Sequence, residues 1–188
     1  MSRDGSITLE WAGGEHLFRL GWGELRSIQE ACDAGPFAIL ERLGNGAWRL
    51  DDISSVIRFG LIGGGMPPVE AAKMVRLYVE KFPPAQSCIV AHAVLTAGCI
   101  GAPEEQIEKK IRSSGSGQQR IDDLPNGKIR FGAIYGVCHK LNMTPQQIDA
   151  MSMWQYFAMV AAASDDASKL SEAEANELWE YLNDGERG

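Results

Sequence analysis

The spacing of apolar residues changes once, near residue 20, and this change constrains the fold more than any other feature of the sequence. Before it, Ile7, Leu9 and Trp11 alternate with polar residues, which is typical of a half-buried strand. The glycine pair at 13–14 favours a turn into a second strand that ends at Leu20. Helical spacing dominates the rest of the chain. The sequence therefore predicts an N-terminal β-hairpin followed by helices.

Apolar stripes at helical spacing follow one another from Trp22 to residue 100. The first contains Trp22, Leu25, Ile28 and Cys32, and a Gly-Pro pair ends it. The later stripes occupy residues 37–43, 53–61, 69–82 and 85–100, and Asp51 or Asp52 could cap the third helix. The stretch from 85 to 100 is apolar nearly all round. That composition is typical of a helix at the centre of a helical domain.

Residues 113–127 separate two regions of apolar pattern. They contain Ser-Ser-Gly-Ser-Gly and Pro-Asn-Gly, a composition that cannot bury a core and that predicts a flexible linker. Residues 1–112 would then form the hairpin and helical body, and 128–188 a small helical module. Capping boxes at 144–147, 152–155 and 171–174 predict short helices in that module. The predicted fold class is α+β, predominantly α-helical, with the hairpin packed on the body.

Charge and composition exclude several classes of function. The 188 residues carry a net charge of −7, which weighs against a general phosphate-binding surface and predicts no nucleic-acid partner. The N-terminus has no apolar leader, and the longest apolar run is too short to span a bilayer. The four cysteines match no zinc or redox spacing. We therefore expect a cytoplasmic protein without membrane contact, metal or cofactor.

Signatures of catalysis are missing from the sequence, so we predict that the protein is not an enzyme. It lacks the phosphate-loop, nucleophile-elbow and zinc-protease motifs. The glycines of residues 60–65 resemble a phosphate loop, but they follow a helical pattern and no lysine comes after them. Cys88 and His92 share one helical face and could form a thiolate–imidazole pair. Because that helix is the most apolar in the chain, a buried structural pair is the favoured interpretation.

The richest candidate for protein binding is the segment from 143 to 159, which combines methionines with aromatic residues. Met151, Met153, Trp154 and Phe157 are the candidate binding residues, because methionine adapts to irregular partners and aromatics contribute much of the energy of interfaces. The alternative is that they form the core of a small module. An acidic cluster at 172–180 is most simply a solvated face, and otherwise a negative docking surface for a basic partner.

Several of these segments, in order, resemble the phage tail assembly chaperone family of gene transfer agents and siphovirus-like prophages. The hairpin is followed by a leucine, a small turn and a glutamate-containing amphipathic helix at 20–31. Residues 37–43 read Phe-x-Ile-Leu-x-Arg-Leu, and 48–65 run from an aspartate cap through Val-Ile-Arg-x-Gly-Leu to three glycines. Residues 141–155 are similar to a second chaperone module, here fused to the first.

The resemblance implies a role in building a phage-like particle. A member of this family binds the long tape measure protein, and its second module recruits tail tube subunits. It acts in the cytoplasm of the host bacterium, is absent from the finished particle and could form a homo-oligomer. Two alternatives stay open: a structural tail subunit of the particle, and an acidic regulator of the helix-turn-helix type.

Overall fold

The computed structural model describes residues 3–101 and 124–166, and it confirms a mostly helical protein with an N-terminal hairpin. Two strands and five helices make up the first range: β1 (Ser6–Trp11), β2 (Gly14–Arg19), α1 (Trp22–Cys32), α2 (Pro36–Asn45), α3 (Leu50–Gly63), α4 (Pro68–Tyr78) and α5 (Ala85–Ile100). The second range contains a short 3-10 turn (Pro125–Gly127), α6 (Phe131–Lys140), α7 (Pro145–Ala150) and α8 (Met153–Asp166). The third predicted capping box, at 171–174, and residues 113–123 of the predicted linker lie outside the described residues.

The hairpin turns one residue earlier than predicted. Trp11 pairs with Gly14, so Ala12 and Gly13 form the two-residue turn and Gly14 already belongs to β2. Both turn residues have positive φ, 55° for Ala12 and 80° for Gly13. This is the turn geometry that matches the right-handed twist of two paired strands. The strand register therefore decided the turn, although an alanine adopts this conformation less readily than a glycine.

The core forms where α3 and α5 meet the hairpin and where α1 packs on α3. The predicted stripe of α1 is confirmed, because Trp22, Leu25, Ile28 and Cys32 are its buried residues. Helix α3 packs against α1, α4, α5 and β2, and α5 packs against α2, α3 and both strands. Phe18 of β2 is fully buried between them. The hairpin thus covers the helical body, as the sequence predicted.

The glycine run at the end of α3 allows close packing on the hairpin and does not form a phosphate loop. A Cβ on Gly64 would lie 1.9 Å from the Leu17 carbonyl oxygen, and a Cβ on Gly63 would lie 2.2 Å from that of Arg19. The backbone N–H of Gly64 donates to the Gly60 carbonyl, and the N–H of Gly65 to the Ile62 carbonyl. The glycines are therefore explained by the approach of α3 to β2.

Helix α3 begins at Leu50, before both Asp51 and Asp52, so the prediction that one of these aspartates is the N-cap residue was wrong. Arg49 is the N-cap residue, and the carboxylate of Asp52 accepts its backbone N–H at 2.9 Å. Asp52 is also completely buried and pairs with Arg42, whose Nη2 lies 2.6 Å from Oδ1. One carboxylate therefore supports the start of α3 and links it to α2.

Helix α4 presents a narrower buried stripe than the sequence predicted. Ala71, Val75 and the following Val79 are buried, whereas Val69 at 67% and Phe82 at 56% exposure point away from the core. Among the described residues, α3 is the helix that makes extensive contact with α4. One packing partner buries one side only, which is why part of the predicted stripe faces solvent.

The described C-terminal helices pack on α1. The ring of Trp22 lies 5.9 Å from that of Phe131 and 5.4 Å from that of Tyr156, both edge to face. Gln29 in α1 donates to the Ile129 carbonyl and accepts the Ile129 N–H. The boundaries predicted at 112 and 128 stay a prediction, but residues 124–162 share one hydrophobic cluster with the body.

Two of the predicted capping boxes are confirmed in this region. The Gln147 N–H donates to the Thr144 hydroxyl at 3.3 Å, and the Thr144 N–H donates to the Gln147 side chain at 2.8 Å. The Gln155 N–H donates to the Ser152 hydroxyl at 3.1 Å, and the Ser152 N–H donates back to Gln155 at 2.9 Å. These bonds satisfy N–H groups that a helix start leaves without partners.

Candidate protein-binding surface

The outer face of α5 is an apolar surface that faces solvent, and we name it the α5 stripe. It consists of residues at successive helical positions, of which three are exposed and Ala93 and Thr96 are half-buried: Ala85, Ile89, Ala93, Thr96 and Ile100. Ile89 is 72% exposed and Ile100 is 48% exposed, so the two largest side chains of the stripe are also accessible. A stripe of this length and spacing has the form of a helix-packing face, and among the described residues α8 contacts α5 while Ile89 stays exposed.

The chemistry of the α5 stripe is unusual for a solvent-facing helix. Helix α5 contains no Asp, Glu, Lys or Arg. The one hydroxyl on the stripe, that of Thr96, donates to the His92 carbonyl at 2.7 Å, so it already has a hydrogen-bond partner. Solvent-facing sides of helices normally carry charged and polar residues, and contiguous exposed apolar surface commonly marks a site of association.

The sequence indicated that α5 was apolar on every side, but it could not show which side would stay open. Ser87, Ala91, Val94, Leu95 and Gly98 turn towards α2, α3 and the hairpin. The sequence predicted that α5 lies at the centre of the helical domain. One face of α5 is buried as that prediction requires, whereas the opposite face is exposed and the prediction was wrong for it. The helical spacing of Ile89 and Ile100 indicated that they share one face of α5. The buried residues have the same kind of spacing, so only the packing of the other elements shows which face is exposed.

The four binding residues predicted from the sequence lie at the start of α8 and just before it. Met151 and Met153 are 8% and 1% exposed, respectively, and belong to the hydrophobic core. Trp154 and Phe157 are half-buried. The structure thus brings all four into one region but leaves only the two aromatic side chains accessible, and their role in binding stays a prediction.

The buried and the half-buried residues of α8 lie on two different faces of the helix. Met153 and Tyr156 are the buried residues of this helix, with Tyr156 3% exposed. The reason is the contact with α1, because the Trp22 ring takes Tyr156 as its neighbour. Trp154 packs on Gly101, where an added Cβ would lie 2.6 Å from the Trp154 Cβ. The start of α8 therefore lies beside the end of the α5 stripe.

Cys88, whose thiol the sequence offered as a possible nucleophile, lies in a buried environment. Cys88 is buried, and its Sγ donates to the Leu43 carbonyl at 3.7 Å. Burial raises the pKa of the Cys88 thiol, whereas a nucleophilic cysteine needs a lowered pKa. His92 lies against Gly44, 3.4 Å from where a Cβ on that glycine would be. This geometry agrees with the interpretation of Cys88 and His92 as structural residues.

Residues 3–101 and 124–166 contain neither a candidate metal centre nor a candidate membrane span. In these ranges no group of three or more His, Cys, Asp or Glu residues is arranged to hold a metal ion. No helix within them is long and apolar enough to cross a membrane. The α5 stripe is therefore the surface that we take as the candidate site.

Comparison with known proteins gives one finding. No curated protein and no solved structure matches the chain. Residues 4–101, which are just over half of the chain and include the hairpin and α1 to α5, match a family of phage tail proteins. The chain belongs to the family described as phage tail tube protein, GTA-gp10.

Proposed function

We propose that the protein is a tail assembly chaperone of a phage-like particle, which acts by binding and not by catalysis. In this role it holds an apolar helical segment of the tape measure protein in the host cytoplasm, recruits tail tube subunits, and is released before the particle is complete. Membership of a phage tail family supports a role connected with the tail of a phage-like particle. The observation that carries the proposal is the α5 stripe, an exposed helix face suited to binding another apolar helix.

The energetics of such binding are favourable. Full burial of an isoleucine side chain contributes about 1.5–3 kcal/mol. Ile89 and Ile100 are 72% and 48% exposed, so most of this gain is still available for a partner. An amphipathic helix laid in an apolar groove or on an apolar face is a recurring mode of recognition. The half-buried Trp154 and Phe157 beside the stripe are the residues proposed to contact the tube subunit.

The test is co-purification with the long tail protein encoded beside this chain. We expect the wild-type chain to keep that protein soluble and to bind it. Ile89→Lys should weaken binding by about tenfold or more, because an ammonium group would replace the apolar contact. Leu77→Lys adds the same charge at an apolar side chain of α4 that is 44% exposed, outside the stripe, and should retain binding. Equal binding by the two variants would refute the role of the stripe.

A second arm examines tube subunit recruitment. Trp154→Ala and Phe157→Ala should lose the tube subunit and keep the long protein, if the two partners occupy different surfaces. Thermal denaturation of each variant controls for loss of the fold, since both side chains pack partly on the core.

The second candidate function is a structural tail tube subunit, and the description of the matched family favours it. A tube subunit must bind copies of itself through at least two different surfaces, because head-to-tail contacts build rings and stacks. It would also be part of the finished particle. Mass spectrometry of purified particles separates the two candidates. Stoichiometric amounts of this chain in the tail would establish the tube subunit and overturn the chaperone proposal.

A further inference from the structure

A basic depression lies between α3 and α4, and none of its lining residues belongs to α5. Arg58 from α3 and Lys73 and Arg76 from α4 surround it, and Val69 and Ala72 form its apolar lining together with Pro68. It encloses about 350 Å³ and is open to solvent. The residues on α4 fall at positions 69, 72, 73 and 76, which is one face of a helix.

The three cations of the depression have no ion-pair partner in the described part of the chain. Four other arginines of the body form ion pairs: Arg19 with Asp4, Arg26 with Asp149, and both Arg42 and Arg49 with Asp52. Arg58 makes only a cation–π contact, with the neighbouring Phe59 at 5.6 Å. A protein with a net charge of −7 thus carries a concentrated patch of unneutralised positive charge around an apolar surface.

The complementary charge is present in the same chain. Residues 171–184 contain Glu172, Glu174, Glu177, Glu180 and Asp184, with no lysine or arginine. Five of the chain's 25 acidic residues therefore stand in fourteen positions without a counter-charge. Ala175, Leu178 and Leu182 follow helical spacing in this acidic segment, so the sequence predicts an apolar stripe bordered by carboxylates.

We propose that the acidic segment at 171–184 docks into the basic depression of the same molecule. Leu178 and Leu182 would contact Val69 and Ala72, and the carboxylates of the segment would neutralise Arg58, Lys73 and Arg76. The segment belongs to the same chain as the depression, so docking would be an intramolecular event. This inference does not rest on the proposed function, because it concerns a different face of the molecule and would hold for a chaperone or a tube subunit.

Hydrogen exchange of the full-length chain at low ionic strength tests the proposal. A helix of fourteen residues is marginal in water by itself, so protection of amides in 171–184 requires docking. The combination Lys73→Glu and Arg76→Glu should speed exchange of that segment by about threefold to tenfold, given what exposed ion pairs contribute. The matched control is Lys81→Glu with Lys140→Glu, which changes the net charge equally at two exposed positions outside the depression.

A charge swap tests direct contact. Adding Glu174→Lys and Glu177→Lys to the variant with glutamates at 73 and 76 should restore protection towards that of the wild type. Salt at 0.3 M should weaken docking, because it screens the pairs. Three results together support the proposal. The variant with glutamates at 73 and 76 loses protection of the segment, the control with glutamates at 81 and 140 keeps it, and the charge-swap variant regains it.

Three outcomes would overturn it. The wild-type segment could exchange as fast as an unstructured peptide, which would leave the depression free for an acidic segment of another protein. The variant and its control could exchange at the same rate. Protection could also rise with protein concentration, which would assign the contact to a second copy of the chain and not to the same molecule.

Discussion

Asp52 is the residue whose replacement tests the description of the core most directly. Its carboxylate is completely buried and accepts hydrogen bonds from Arg42 Nε at 3.0 Å, from Arg42 Nη2 at 2.6 Å and from the Arg49 backbone N–H at 2.9 Å. The Arg49 guanidinium lies 3.6 Å away. The side chain therefore joins α2 to the start of α3 and neutralises an arginine that is three-quarters buried.

The substitution Asp52→Asn keeps the shape and removes the charge. The amide offers one acceptor oxygen and an NH₂ group, which cannot accept from the arginine, so one of the two parallel bonds is lost. Breaking a fully buried ion pair costs about 3–5 kcal/mol. Arg42 is 24% exposed and can recover some hydration, so we expect a loss of about 2–3 kcal/mol. For a chain of this size that lowers the melting temperature by about 5–10 °C.

Urea denaturation followed by circular dichroism measures this effect. The matched control is Asp51→Asn at the preceding residue, which is exposed and also in the first turn of α3. We expect the control to stay within about 0.5 kcal/mol of the wild type. If Asp52→Asn matched its control, Asp52 would not be the buried link between the two helices and the packing of α2 on α3 would need revision.

Two further predictions concern the backbone and the thiols. Gly64→Ala should destabilise by about 2–3 kcal/mol, because its Cβ would lie 1.9 Å from a β2 carbonyl oxygen, whereas Gly136→Ala in open space should be neutral or slightly stabilising in the same urea assay. Burial raises the pKa of Cys32 to about 11 and that of Cys99 to about 12, from 9.0 in both cases. The folded state holds these protons more tightly, so the stabilisation is complete below pH 9 and is lost as the pH rises from there to pH 12. Urea midpoints that stayed constant from pH 8 to beyond pH 10 would contradict this assignment.

The candidate binding surface arises from a mismatch between a helix and its neighbours. Helix α5 is apolar on all sides, yet the described chain surrounds only part of it. Ile89 is 72% exposed on a helix that contains no charged residue, so the exposed surface of α5 is largely apolar. An exposed apolar surface lowers the solubility of the free protein. The net negative charge of the chain opposes aggregation and helps to keep the free protein in solution.

Local patterns in the sequence were sufficient for the elements that depend on neighbouring residues. The buried stripe of α1 and the capping boxes at Thr144 and Ser152 were predictable, because helical periodicity and capping are local physics. The change of period near residue 20 was enough to predict a hairpin followed by helices. The mostly helical class followed from the same patterns.

Tertiary packing decided which apolar faces were covered. Strand register moved the turn to Ala12, and contact with Trp22 made Tyr156 the buried residue of α8 and left Trp154 half-buried. The number of packing partners left Val69 and Ile89 in solvent. Periodicity specifies that a face is apolar, but the burial of that face depends on whether another element is placed against it. The sequence alone therefore determined the helices and the hairpin, and only the tertiary structure determined which of their apolar faces remain open for a partner.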